Sequence, residues 1–191
     1  MGVVNDADCQ TRGRLSSRLR RLAEAGLFAR HVRGAVATQE ILARIESLSA
    51  DAFTACLEDR EAKGPLVTLP DGTQMKRIPG FHRWMWDGEF CGSISLRWKP
   101  GTTDLPPHVL GHIGYSVVPW KRRLGYATSA LKQLLPEARE VSLPYVEITT
   151  DPDNVASQRV IKANGGVLVE RFTKPSQFDS RPGLHYCIAL E

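Results

Sequence analysis

Two short stretches of this sequence carry residue types, at a spacing, that can hold a phosphorylated ligand. The first is HIGYSVVPWKRRLGYA, residues 112–127. It reads as a strand, a Pro119-Trp120 break, and Arg122-x-x-Gly125-x-Ala127 opening a helix. A helix N-terminus leaves N–H donors unsatisfied and carries about half a positive charge, which attracts phosphate. Gly125 lets the backbone approach a ligand closely, and Arg122 and Arg123 add planar, multi-donor cations. The pattern is neither the GxxxxGK[ST] phosphate loop nor the GxGxxG dinucleotide fingerprint. A plain strand-to-helix connection with solvated arginines would show the same letters, so the motif gains weight only from its neighbours. The second stretch is Asp151-Pro-Asp-Asn154-Val-Ala-Ser157. Its Asn154 and Ser157 suit both a helix cap and a ligand contact.

The elements that must position these residues are legible from periodicity. Helical spacing runs over 15–30 and, more clearly, over 38–48, and Asp51 is placed to cap a third short helix. Gly64-Pro65 and Pro70-Asp71-Gly72 mark turns, after which the chain turns to strands. Phe81–Trp86 and Phe90–Trp98 flank Asp87-Gly88, a strong hairpin signal. A strand over 112–118, a helix over 125–138, and a strand over 145–150 follow. Asp153 or Asn154 then caps a helix ending at Asn164-Gly165-Gly166, before strands over 167–172 and 184–190. The sum is an α/β fold, a mixed sheet with helices on its faces and a right-handed crossover over 112–150.

Composition narrows the class. The 191 residues are 42% hydrophobic and 24% charged, with a net charge of +4 that suits an anionic ligand at least as well as nucleic acid. No apolar run is long enough to suggest a membrane span, and the start lacks a secretory pattern, so a cytoplasmic protein without a membrane role is expected. Cys9, Cys56, Cys91 and Cys187 form no CxxC pair; free thiols and no metal site are expected. Seven arginines and one acidic residue lie between Arg12 and Arg33. That makes residues 1–35 a basic arm or helix, distinct from residues 36–191.

Taken together, Arg122-x-x-Gly125-x-Ala127, Asn154-x-x-Ser157 and Asn164-Gly165-Gly166, each placed against a strand, resemble the GNAT N-acetyltransferases. The resemblance covers residues 66–191, and the Asn154-x-x-Ser157 element resembles the branch of ribosomal-protein α-amino acetyltransferases. It implies a mostly antiparallel sheet with helices on both faces, split between the strands at 112–118 and 145–150. It implies acetyl-CoA as cosubstrate, with pantetheine added to the backbone of Ser116, Val117 and Val118. The N–H groups of Arg123, Leu124, Gly125, Tyr126 and Ala127 would hold the pyrophosphate, helped by Arg122, and Asn154 and Ser157 would lie beside the pantetheine arm and sulfur.

The implied reaction is attack of a primary amine on the thioester, the acceptor being a small molecule or a protein N-terminus or lysine. A base must take the amine proton; Glu147 is the first candidate, on a strand position where related enzymes often carry glutamate, and His112 the second. Many members place a tyrosine seven residues after the asparagine; here Ile161 stands there and cannot donate, leaving Ser157 or a water to support the departing sulfur. Glu89 reads as a turn residue, and Tyr115 and Arg97 as residues that line the acceptor cleft or pack within the sheet. Two other readings stay open: a non-catalytic acyl-CoA sensor, suggested by Ile161, and an RNA- or ribosome-associated protein using the arginine-rich start. Nucleic acid is otherwise not expected as a partner, and a homodimer is compatible with the sequence.

Overall fold

The computed structural model describes Gly2–Val4 and residues 57–64, 66–68, 72–88 and 90–190. The helices expected over 15–30, over 38–48 and from Asp51, the basic arm, and Glu89 lie outside the described residues. The chain divides into one unit of Met1–Val3 with Asp59–Glu191 and another of Val4–Glu58; apart from Val4 and Glu58, all that follows belongs to the first.

Ten strands are described: β1 (Gly2–Val4), β2 (Glu58–Asp59), β3 (Val67–Thr68), β4 (Gln74–Met75), β5 (Gly80–Trp86), β6 (Phe90–Arg97), β7 (Ile113–Val117), β8 (Tyr145–Thr150), β9 (Val167–Thr173) and β10 (Pro182–Ala189). Helix α1 (Tyr126–Glu140) joins β7 to β8, and α2 (Val155–Ala163) joins β8 to β9. One sheet has the order β1-β5-β6-β7 with β2 beside β5, a second has the order β8-β10-β9, and β3 pairs with β4. The ladders β5–β6, β6–β7, β8–β10 and β9–β10 are antiparallel.

The hairpin forms where Asp87-Gly88 allows it, with Gly88 at φ 102°. On β5 the alternation buries Phe81, Arg83 and Met85, and the register sets them against Leu96, Ile94 and Gly92 of β6. α1 lays Ala130, Leu131, Leu134 and Ala138 on that same side. Leu135 packs beside them, partly buried. Val146 and Ile148 of β8, Ile161 of α2, and Leu184, Tyr186 and Ile188 of β10 complete one continuous apolar core. Arg83 is tied into it by Glu137 of α1 at 3.0 Å. Period-two alternation then turns Ser95, Arg97, Gly114, Glu147, His185 and Cys187 to the opposite side of the sheets.

The predicted crossover is present as β7-α1-β8, but β7 and β8 form no ladder. Two bonds hold them at one end: His112 N–H donates to the Glu147 carbonyl at 2.8 Å, and Glu147 N–H donates to His112 Nδ1 at 3.0 Å. Beyond this clasp the strands belong to separate sheets, as the split between 112–118 and 145–150 requires.

Candidate functional site

The loop after β7 is shaped for an anion. Pro119–Lys121 makes a single 3-10 turn, after which Arg123 (φ 65°) and Gly125 (φ 81°) both take left-handed backbone. Gly125 caps α1 without any side-chain bond. Ser129 N–H is the first in the helix to find an acceptor, the Gly125 carbonyl at 3.0 Å. Among the described residues, the N–H groups of Arg123, Leu124, Gly125, Tyr126 and Ala127 meet no acceptor. Successive N–H groups through left-handed turns form an anion-binding concavity. A Cβ at Gly125 would meet nothing within 4 Å, so the space beside it is open to a ligand.

Asp87 holds this loop in place. Its carboxylate takes Lys121 Nζ at 2.8 Å and a short hydrogen bond from the Tyr126 hydroxyl. Lys121 and Tyr126 bracket the Arg122–Gly125 turn, so a residue read from the sequence as hairpin chemistry also anchors the loop. Arg122 is exposed, with Nε donating to the Val117 carbonyl at 3.2 Å.

On β7, Val118 N–H is already committed to the Cys91 carbonyl at 2.9 Å. Strand alternation therefore turns Ser116 toward β6 as well, and Tyr115 and Val117 toward the open edge. Of the three residues expected to bind through their backbone, Val117 is the one whose polar groups face the split.

Across the split stands the start of α2. Asn154 Oδ1 accepts Ser157 N–H at 3.1 Å, the capping arrangement expected. Ser157 Oγ lies 2.9 Å from the Tyr115 hydroxyl, which also donates to the Ser157 carbonyl at 3.2 Å. Burial pushes the Tyr115 phenol up to about 12, so it keeps its proton across any working pH. Ile161 is wholly buried in the core, turned away from this edge. A hydroxyl does stand beside Ser157, but it comes from Tyr115 of β7, which sequence spacing along α2 did not reveal.

On the opposite side, Glu147 is one-quarter exposed, and its Oε1 lies 3.4 Å from His185 Nε2. His185 Nδ1 lies 3.2 Å from Glu170 Oε1. His185 and Glu170 were not singled out in the sequence; only the β10 register, which sets Cys187 against Glu147, brings them here. His112 is fully buried. Burial first, then the nearby Arg97 cation, lowers its pKa to about 4, and the Thr103 backbone partly offsets this. Its Nδ1 lone pair is occupied by Glu147 N–H, so that nitrogen cannot take a substrate proton while the clasp holds.

This neutral, buried imidazole has a consequence for stability. A folded pKa near 4, below the free value of about 6.5, makes stability full above that value and lost as pH falls toward 4, by up to about 3 kcal/mol. His112→Asn keeps an acceptor for Glu147 N–H but removes the titration. Denaturant midpoints measured across this window should therefore fall less in the variant than in the wild type. Equal acid losses would show that His112 does not control this transition.

Among the described residues, no helix is long and apolar enough to cross a membrane. Nor is there any group of three His, Cys, Asp or Glu placed to hold a metal. Cys91 and Cys187 are free thiols. The split between strands, the anion-shaped loop and the capped start of α2 lie together along β7. Independently, residues 30–167 match the family model described as "Acetyltransferase (GNAT) domain". The chain belongs to this family. No curated protein matches the sequence. Solved structures similar to it include a protein described as "Probable acetyltransferase", with 23% identity, TM-score 0.46, and 58% of this chain and 62% of that one covered. Others are a GNAT-family acetyltransferase from Bacillus anthracis (22%, 0.45, 56% and 65%) and RimL, a ribosomal L7/L12 α-N-protein acetyltransferase (19%, 0.47, 58% and 62%). The chain thus spans less than two thirds of the length of these structures.

Proposed function

We propose that this protein transfers the acetyl group of acetyl-CoA to a primary amine by direct attack. The observation that carries this reading is the open edge of β7 running directly into five unbonded N–H groups at Arg123–Ala127. An extended amide-bearing arm fits the first, and a pyrophosphate the second. Arg122 adds charge at the loop, and Asn154 holds α2 so that Ser157 faces the split.

The chain's own groups divide the chemistry between the two sides of the sheet. Glu147 takes the proton that the amine must lose, and His185 and Glu170 lie in line behind it. On the other side the Tyr115–Ser157 hydroxyl pair stabilises the sulfur as the C–S bond breaks, because Ile161 cannot. A backbone N–H at the open edge is available to the developing oxyanion. This hydroxyl pair favours catalysis over passive acyl-CoA sensing. The Asn154-x-x-Ser157 pattern favours an α-amino group as acceptor, and residues 36–191 are the catalytic domain in this reading.

Gly125→Val tests the placement. A β-branched residue held at φ 81° is strained by about 1–2 kcal/mol and fills the approach to the loop, so acetyl-CoA should bind at least about tenfold more weakly. Calorimetry on the folded variant reads this directly. Unchanged affinity would place the pyrophosphate elsewhere. Release of CoA thiol with an amine panel tests the reaction itself.

A further inference from the structure

One charged group near the cleft has no use in the mechanism above. Arg97 closes β6, and its Nε is buried without a hydrogen-bond partner. Among the described residues, no carboxylate pairs with its guanidinium and no carbonyl accepts from it. Burial alone pulls its pKa down, the signature of a cation held where solvent is scarce and no acid compensates. Leaving a buried charge unpaired is costly, and such groups call for a specific explanation.

Arg83, on the neighbouring strand, shows how this fold treats a purely structural arginine. Its guanidinium meets Glu137 at 3.0 Å, donates to the His82 carbonyl at 3.3 Å, and lies 4.2 Å over the Phe81 ring. Arg97 has no such set. It keeps some exposed surface, so a small ligand can reach it. Room has also been left for it: a Cβ at Gly114 of β7 would stand 2.7 Å from Arg97 Nη2.

Its position relates it to the chemistry. Arg97 and Glu147 project from the same side of the sheets, away from α1 and α2. Arg97 N–H donates to the His112 carbonyl at 2.9 Å, and His112 N–H in turn donates to the Glu147 carbonyl at 2.8 Å. The Arg97 cation is close enough to depress the His112 pKa. An acceptor with its amine at Glu147 would bring a neighbouring substituent toward Arg97.

We propose that Arg97 binds a carboxylate of the acceptor, so that the preferred substrates are amines bearing a carboxylate, such as free amino acids, over neutral or polycationic amines. This rests on the acetyltransferase reading and adds the substrate class to it. A guanidinium recognises a carboxylate through two parallel N–H···O bonds, which a neutral or cationic amine cannot form.

The test pairs matched ligands on the full chain. Acetyl-CoA calorimetry comes first, since its failure would remove the acetyltransferase reading and not this one specifically. In melts of the free protein, N-acetylalanine should raise the wild-type Tm, N-ethylacetamide should not, and Arg97→Gln should abolish the difference. In turnover, alanine should exceed ethylamine in kcat/KM by at least about tenfold, as expected for a charge-assisted pair. The preference should vanish in Arg97→Gln, chiefly through KM, and survive in part in Arg97→Lys. Acetyl-CoA binding with no stabilisation by N-acetylalanine would overturn the proposal. So would spermidine or ethylamine outcompeting alanine, or an unchanged ratio in folded Arg97→Gln.

Discussion

Glu147→Gln is expected to lower kcat by about 10²–10⁴-fold while leaving acetyl-CoA affinity close to wild type. The substitution keeps the shape of the side chain and its ability to hydrogen-bond His185, 3.4 Å away. What it removes is the carboxylate proposed to accept the amine proton. The cofactor groups named above, the β7 edge and the Arg123–Ala127 loop, are untouched, so the loss should fall on turnover alone. Steady-state kinetics over a pH range, with calorimetry alongside, separate the two quantities. Full turnover in Glu147→Gln, together with its abolition in His112→Ala, would transfer the role of base to His112. That outcome would also require the His112 clasp to open during turnover, because its Nδ1 is taken by Glu147 N–H at 3.0 Å.

The largest effect on stability is expected at Gly92, on the strand that backs the β7 edge. Gly92 lies at φ 153°, and a Cβ there would sit 2.0 Å from the Ser116 carbonyl oxygen and 2.9 Å from Val117 Cα. Both obstacles are backbone, so no side chain can rotate away. Gly92→Ala must push β7 off β6, at a cost of about 3 kcal/mol. For a chain of this size that corresponds to a fall in Tm of roughly 6–12 °C. The displaced segment is the strand edge that would receive pantetheine, so acetyl-CoA affinity should fall as well. A thermal melt within about 2 °C of wild type would show that the β6–β7 contact yields more easily than this geometry implies.

Much of the site was legible because its signals are local. The order strand, Arg122-x-x-Gly125, helix can be read from one window, since Gly125 is needed where the backbone turns left-handed. Asn154 caps α2 through a side chain reaching Ser157 N–H three residues on, a distance the sequence states directly. The 145–150 strand matches β8 at both ends, because alternation of Val146, Ile148 and Thr150 against Tyr145, Glu147 and Thr149 is complete within six residues. β7 and β8 form no ladder, as the split implied by the family resemblance required, and that opening is what a ligand cleft needs.

Less legible were the groups whose meaning depends on a distant neighbour. Asp87 was read as turn chemistry, and only the fold shows Lys121 and Tyr126 gathered on its carboxylate. Tyr115 was read as a cleft or packing residue, but its bond to Ser157 spans 42 positions. His185 drew no attention, since nothing around it in the sequence points to Glu147.

By itself, then, the sequence determined the elements, their order, and the backbone cradle for an anionic ligand, because these follow from periodicity, glycine freedom and capping within a few residues. Only the tertiary structure decided which side of the sheet each functional group occupies and with whom it pairs. Strand register and the parting of β7 from β8 set Glu147 with His185 on one side and Tyr115 with Ser157 on the other. They also placed Arg97 beside Gly114, where no other described residue pairs with its guanidinium. A side chain's type is written in the chain, but its partner is a matter of which strands come to lie side by side.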